Sequence, residues 1–227
     1  MARDFKFIIG LIVMGASASI EREFHRRVPE DVGIVTTRVP FKNVSEQGLL
    51  DMIDALPAAS RILIEARPDV IAVTSASGSY MKSQEIVNTI QQATGVQTVV
   101  PSLEYVKILK AIQARNIALI SSMGQELQLL ERMYYFQRGI TMDKIINIEG
   151  PVNYDPFSAQ NLNYETMIKS VKEQDFTGID AVVFDHPLVN LNSEGGRRMM
   201  EYIPVPALSM VDVLIQSSLA IAEKNIL

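Results

Sequence analysis

An α/β protein with parallel sheet covered by helices on both faces is the fold class this sequence predicts. Three observations predict it. Short apolar runs rich in β-branched residues alternate with helical segments along the whole chain, the pattern of repeated βαβ units. Two of these runs, Val70–Val73 and Ile179–Phe184, are apolar throughout, as strands covered on both faces are. Each then stops abruptly, the first at Thr74-Ser75-Ala76-Ser77-Gly78-Ser79 and the second at Asp185-His186. The C-terminal ends of parallel strands are where α/β proteins place ligand chemistry. Two such breaks, about a hundred residues apart, predict one site shared by two architecturally similar halves.

The elements follow in order. Phe5–Val13 is a buried strand, and Ser19 is placed to cap a helix whose first turn carries Glu21 and Glu23, where the helix dipole favours acid. Val32–Val39 is the next strand. Ser45 opens a helical stretch over Glu46–Arg67, with Pro57 expected to start a new helix. Asp69–Val73 is a strand, Tyr80–Ala93 a helix closed by Gly95, and Thr98–Val100 a short strand. Pro101–Ala114, Asn116–Ser121, Glu126–Gln137 and Lys144–Ile148 read as helix, strand, helix and strand. Glu149–Gln160, rich in turn formers, is expected to be an exposed loop. Asn163–Gln174 is a helix, Ile179–Phe184 a strand, and Asp185–Gly196 the second polar loop. A helix over Gly196–Tyr202, a strand near Val205–Leu208 and a last helix over Val211–Glu223 complete the pattern.

The 227 residues suffice for one large or two small domains, and 48% hydrophobic with 21% charged residues is a globular composition. A net charge of −5, with basic residues only in isolated pairs such as Arg26-Arg27 and Arg197-Arg198, argues against nucleic-acid binding. No apolar stretch approaches the ~20 residues that span a bilayer, and the run Phe7–Met14 leads into a charged helix rather than a cleavage site. A cytoplasmic protein without membrane attachment is expected. There is no cysteine, which excludes disulfides, thiolate ligands and a catalytic thiol. The two histidines, His25 and His186, lie far apart and no carboxylates cluster at ligand spacing, so no metal is expected.

The sequence resembles the aspartate/glutamate racemase superfamily, in its maleate isomerase and arylmalonate decarboxylase branch. Three segments carry the resemblance: Gly10–Val13 with its small-residue loop and Glu21-x-Glu23, Asp69–Ser75, and Gly178–His186, in matching order and spacing along with Ile203–Pro206. The resemblance implies two doubly wound, Rossmann-like domains related by a pseudo-twofold axis, with the site between them. It places residues 1–100 with 206–227 in the first domain and 101–205 in the second. It also implies cofactor-free proton transfer beside a carboxylate, a small carboxylate or dicarboxylate substrate, and self-association into a homo-oligomer. The family's two cysteine positions fall on Val73 and His186, its loop tyrosine on Met123, and the opening-loop asparagine near Ser17. Racemisation by two thiols and isomerisation through a thiol adduct are therefore closed to this chain.

The residues left for chemistry are hydroxyls, helix N-terminal amides and one imidazole. Thr74 and Ser75 are expected to hold a carboxylate and stabilise charge developing beside it, because amides and hydroxyls at a helix start favour anions. Ser17, Ser77, Ser79, Tyr80 and Asp185 are the expected further substrate contacts, though Ser79 equally suits helix capping, and Ser19 is read as a cap alone. His186 is the expected proton carrier, since an imidazole titrates near neutrality; a loop histidine bonded to backbone is the plainer reading. Three functions fit: a decarboxylating lyase, an isomerase, racemase or hydrolase using His186 as base, and a carboxylate-binding protein without turnover.

Overall fold

The apolar runs become the parallel strands of two separate sheets in the computed structural model, which describes residues 5–148 and 163–226. The first half contains β1 (Phe7–Met14), α1 (Ile20–Arg27), β2 (Val32–Val39), α2 (Glu46–Leu63), β3 (Val70–Val73), α3 (Ala76–Thr94) and β4 (Thr98–Val99). After α4 (Pro101–Ala111) the second half contains β5 (Asn116–Ser121), α5 (Gln125–Phe136), β6 (Thr141–Asn147), α6 (Tyr164–Lys172), β7 (Ala181–Phe184), α7 (Glu194–Met200) and β8 (Ala207–Leu208). The chain ends in α8 (Met210–Ile226), which packs back on β3, β4, α1 and α4.

Among the described residues the sheets are four-stranded and share one order, β2-β1-β3-β4 and β6-β5-β7-β8, every pairing parallel. The connecting helices cover both faces of each sheet. The continuous core runs between the halves: alternate residues of β1 and β3 (Ile9, Leu11, Val70, Ala72) and of β5 and β7 (Ile117, Leu119, Ala181, Val183) face it, with α4 and α8. The other parity fills outer cores, Ile12, Ile71 and Val73 against α2 and α3, and Ala118, Val182 and Phe184 against α6 and α7.

Several local expectations shift. Helix α2 passes straight through Pro57. Its buried face, Leu49, Met52, Ile53, Leu56, Ala59 and Leu63, is continuous across the proline, and packing it outweighs the ~3 kcal/mol that an interior proline costs. The helical segment α3 opens at Ala76, where Ser75 caps its first turn by accepting from the Gly78 N–H (3.2 Å), and it kinks at Lys82 (φ −142°) before the longer helix that the sequence places from about Tyr80. Ser19 occupies the N-cap of α1 without a side-chain capping bond. Strand β6 starts three residues early, at Thr141. The expected loop over Glu149–Gln160 lies outside the described residues.

Candidate active site

One wall of the site is the end of β3 and the first turn of α3. Thr74 uses both its N–H (3.0 Å) and its hydroxyl (3.2 Å) on the carbonyl of Ile12, extending the β1–β3 pairing by one residue. Ser75 accepts from Gly78 and so keeps its own proton for donation. Ser79 donates to Ala76 O (2.7 Å) and accepts from Ser102 N–H (3.1 Å), which ties α3 to α4. Ser75→Ala is expected to lower stability by about 1 kcal/mol through the lost cap, read as a drop in the midpoint of urea unfolding.

The opposite wall is the end of β7. Asp185 N–H donates to Ile120 O (3.3 Å), so the backbone stays strand-like one residue past β7. Strand parity then points Asp185 with Ala181 and Val183 toward the other half. Its carboxylate accepts from Ser121 Oγ and from the Ser122 N–H (3.4 Å) and is 1% exposed. Burial pushes the Asp185 carboxyl up to about 7, against the opposing pull of these hydrogen bonds. The His186 ring is also buried, and its Nδ1 accepts from the Leu188 N–H (3.2 Å). The neutral ring therefore carries its proton on Nε2.

Beyond His186 the loop folds over the start of α7. A Cβ on Gly196 would lie 2.1 Å from Asn190 O. Gly196→Ala is expected to lower stability by roughly 3 kcal/mol, read as a drop in the midpoint of urea unfolding, because the clash is with backbone that cannot turn aside.

Between the two walls lies a cavity of about 30 Å³, lined by Met14, Ala16, Phe41, Val44, Leu49, Ser75, Ala76, Ser77, Met123, Asp185 and Pro187. A wider groove of about 510 Å³ at the start of α5 shares Val44 and Met123 with it and adds Ser121, Ser122 and Asn147. The structure thus brings Ser75, Ser77 and Asp185 to one cavity. Ser17 is next to its lining residue Ala16, and the Ser17 hydroxyl is buried without a hydrogen-bond partner among the described residues. Thr74, Ser79, Tyr80 and His186 are not among the lining residues: the first two spend their hydroxyls on backbone, His186 binds its own loop, and Tyr80 turns into the core between the halves. Phe41, Val44 and Leu49 were not singled out by sequence, although two apolar residues in an otherwise polar loop after β2 were a visible signal. Ser121-Ser122, a third apolar run ending in hydroxyls, was another.

Behind the site sits a tyrosine cluster. Tyr80 OH and Tyr135 OH are 2.9 Å apart, and the rings of Tyr80, Tyr134 and Tyr135 meet pairwise at centroid distances of 5.2 to 5.7 Å. Tyr105 OH donates to Phe184 O (3.1 Å), bracing the end of β7. Glu131, 1% exposed, has no hydrogen-bond partner for either carboxyl oxygen among the described residues. Burial, and then the charge of Asp185, push its carboxyl well above the usual carboxylate range.

The sequence matches no family model and no curated protein. Solved structures do match over nearly the full chain. The maleate cis-trans isomerase of Nocardia farcinica superposes with a TM-score of 0.84 at 17% identity, covering 96% of this chain and 92% of that one. The maleate isomerase Iso of Pseudomonas putida S16 gives 0.82 at 15% identity, covering 96% and 93%. Arylmalonate decarboxylase gives 0.76 at 14% identity, covering 95% and 92%. At these identities the likeness establishes a shared fold, two parallel-sheet halves with helices between the strands.

Proposed function

We propose that this chain is a cofactor-independent lyase that decarboxylates a small dicarboxylate, placing a proton on the carbon next to the carboxylate that stays. The observation that carries this reading is the Asp185 carboxyl, able to hold a proton near neutrality, on the same cavity as Ser75 and Ser77 at the N-terminus of α3. Ser75, Ser77 and the first amides of α3 bind the retained carboxylate. The cavity alone, at about 30 Å³, has room for one small group; Val44 and Met123, shared with the wider groove, set the second carboxylate against apolar surface, where loss of charge as CO₂ is favoured. The C–C bond breaks, CO₂ leaves, and the electron pair spreads into the retained carboxylate as an enediolate stabilised by the same donors. Asp185–COOH then gives its proton to the carbon and becomes a carboxylate, which regains a proton from water. The sum is dicarboxylate plus one proton to monocarboxylate plus CO₂. His186 shapes the loop that presents Asp185, and the proton passes from oxygen rather than from imidazole.

The fold neighbours support both decarboxylation and isomerisation. The Nocardia farcinica isomerase has been solved with a covalently bound succinylcysteine intermediate, and a chain without cysteine cannot form that bond. This favours decarboxylation. The test is incubation with methylmalonate, phenylmalonate and maleate in D₂O, followed by NMR. The expected result is CO₂ released from a malonate with one deuterium at the α-carbon. Exchange or cis–trans conversion without CO₂ overturns the lyase reading, and binding without conversion overturns the enzyme.

A further inference from the structure

The loop that carries Asp185 is tied to the opposite half of the molecule. Asn190 Nδ2 donates to Glu23 on α1 (2.5 Å), and Asn192 Nδ2 donates to Asp212 on α8 (3.0 Å). Asp212 is a hub: the oxygen that accepts from Asn192 also pairs with Arg27 of α1, and the other accepts from Ser209 Oγ. Its side chain is 11% exposed and that of Arg27 18%, so the pair is well shielded from water. Helix α8 packs on the first sheet and on α1, whereas the loop leaves the second sheet.

The loop also has anchors within its own half. Tyr164 OH donates to Asn190 O (3.0 Å) and accepts from Asn190 N–H (2.9 Å), and Ser193 Oγ donates to Asn190 O (2.8 Å). Those bonds satisfy the backbone. The bond to Asp212 is different in kind: Asn192 is exposed, where water would serve its amide, yet it spends rotamer entropy to reach a carboxylate of the other half. From Asn192 the path back to the site is short. Val189, fully buried, donates to His186 O (3.3 Å), and Leu188 donates to His186 Nδ1 (3.2 Å), so one tight turn joins residues 190–192 to Asp185.

We propose that Asp212, its carboxylate oriented by Arg27 and Ser209, is a positioning residue. Through Asn192 it sets the loop over residues 186–192, and thereby the place of Asp185 in the cavity. The two halves are held in one relative position for catalysis by a contact that lies outside the cavity. The consequence for turnover rests on the proposed role of Asp185; the consequence for the loop does not.

The chain has two histidines, and His25 is exposed on α1, so a long-range ¹H–¹⁵N spectrum separates the His186 ring from an internal control. In Asn192→Ala the His186 Nδ1 resonance is expected to shift while His25 stays in place and the fold is kept. Asp212→Ala gives the same shift with a lower melting temperature. Asp212→Asn, whose amide oxygen still accepts from Arg27 and Asn192, restores the native His186 signal. With methylmalonate as substrate, Asn192→Ala lowers kcat ~10-fold with KM little changed, as misplacement of a reacting group does. An unmoved His186 in both Asn192→Ala and Asp212→Ala overturns the proposal, and so does a moved ring with wild-type kcat. If the native protein converts no malonate, the functional reading has failed, and the spectrum alone decides the positioning.

Discussion

Asp185→Asn is expected to remove turnover while leaving the fold and the binding of dicarboxylates intact. An amide accepts and donates hydrogen bonds in the same place but delivers no proton, and loss of a positioned acid costs about 10²–10⁴ in rate. The exchange also removes a pH dependence. Asp185 holds its proton to about 7 in the folded chain, whereas an unfolded aspartate releases it near ~3.9. The folded state binds more protons between those values, so stability falls as pH rises from about 4 to about 7 and is level above. Asp185→Asn is therefore as stable as the native chain near pH 4 and more stable at pH 8, on the order of a few kcal/mol. Catalysis by the acid form weakens as pH climbs through about 7. Calorimetry at both pH values and a pH–rate profile check each part; a variant with native turnover ends the assignment.

Glu131→Gln is expected to stabilise the protein at neutral pH. The carboxyl is buried on α5 without a hydrogen-bond partner among the described residues, faced by Tyr80 from α3, Tyr105 from α4, Tyr135 from its own helix, and by Asp185 just past β7. Burial first, and Asp185 second, push its ionisation well above the usual carboxylate range and favour the acid form. An unfolded glutamate ionises near ~4.3, so folding works against the ionised form of Glu131 and carries a cost that rises with pH above that value. Glutamine has the same shape and carries no such cost. The gain is absent below about pH 4 and grows as pH rises from there toward the raised ionisation of Glu131. Urea unfolding at pH 4 and pH 7 measures it, and equal stability of the two proteins at pH 7 contradicts the buried neutral acid.

Much of this architecture was legible in the chain. Strands such as Val70–Val73 and Ala181–Phe184 announce themselves because burial on both faces leaves no place for a polar residue, and the abrupt polar breaks at their ends mark where the cavity lies. Pro57 misled because local propensity carries no account of a buried helix face that continues past it. The distinction between Asp185 and His186 was not legible. Both follow β7, and alternation sends them to opposite sides, but which side faces the other half is decided by β5 and by the Asp185 to Ile120 bond. A pattern of residues gives the period and leaves the phase open. The hydroxyls behaved likewise. Thr74, Ser75 and Ser79 are identical in type to the ligand donors expected there, and only tertiary contacts with Ile12, Gly78 and Ser102 separate the structural from the available.

The tyrosine cluster has a practical consequence. The chain has no tryptophan and seven tyrosines, so its near-ultraviolet emission belongs to phenol alone. Three of those phenols, Tyr80, Tyr134 and Tyr135, share one contact at the seam, the first from one half and the others from its counterpart. Any hinging that parted the seam would change their quenching together, which makes the native fluorophore a gauge of interdomain opening that requires no label.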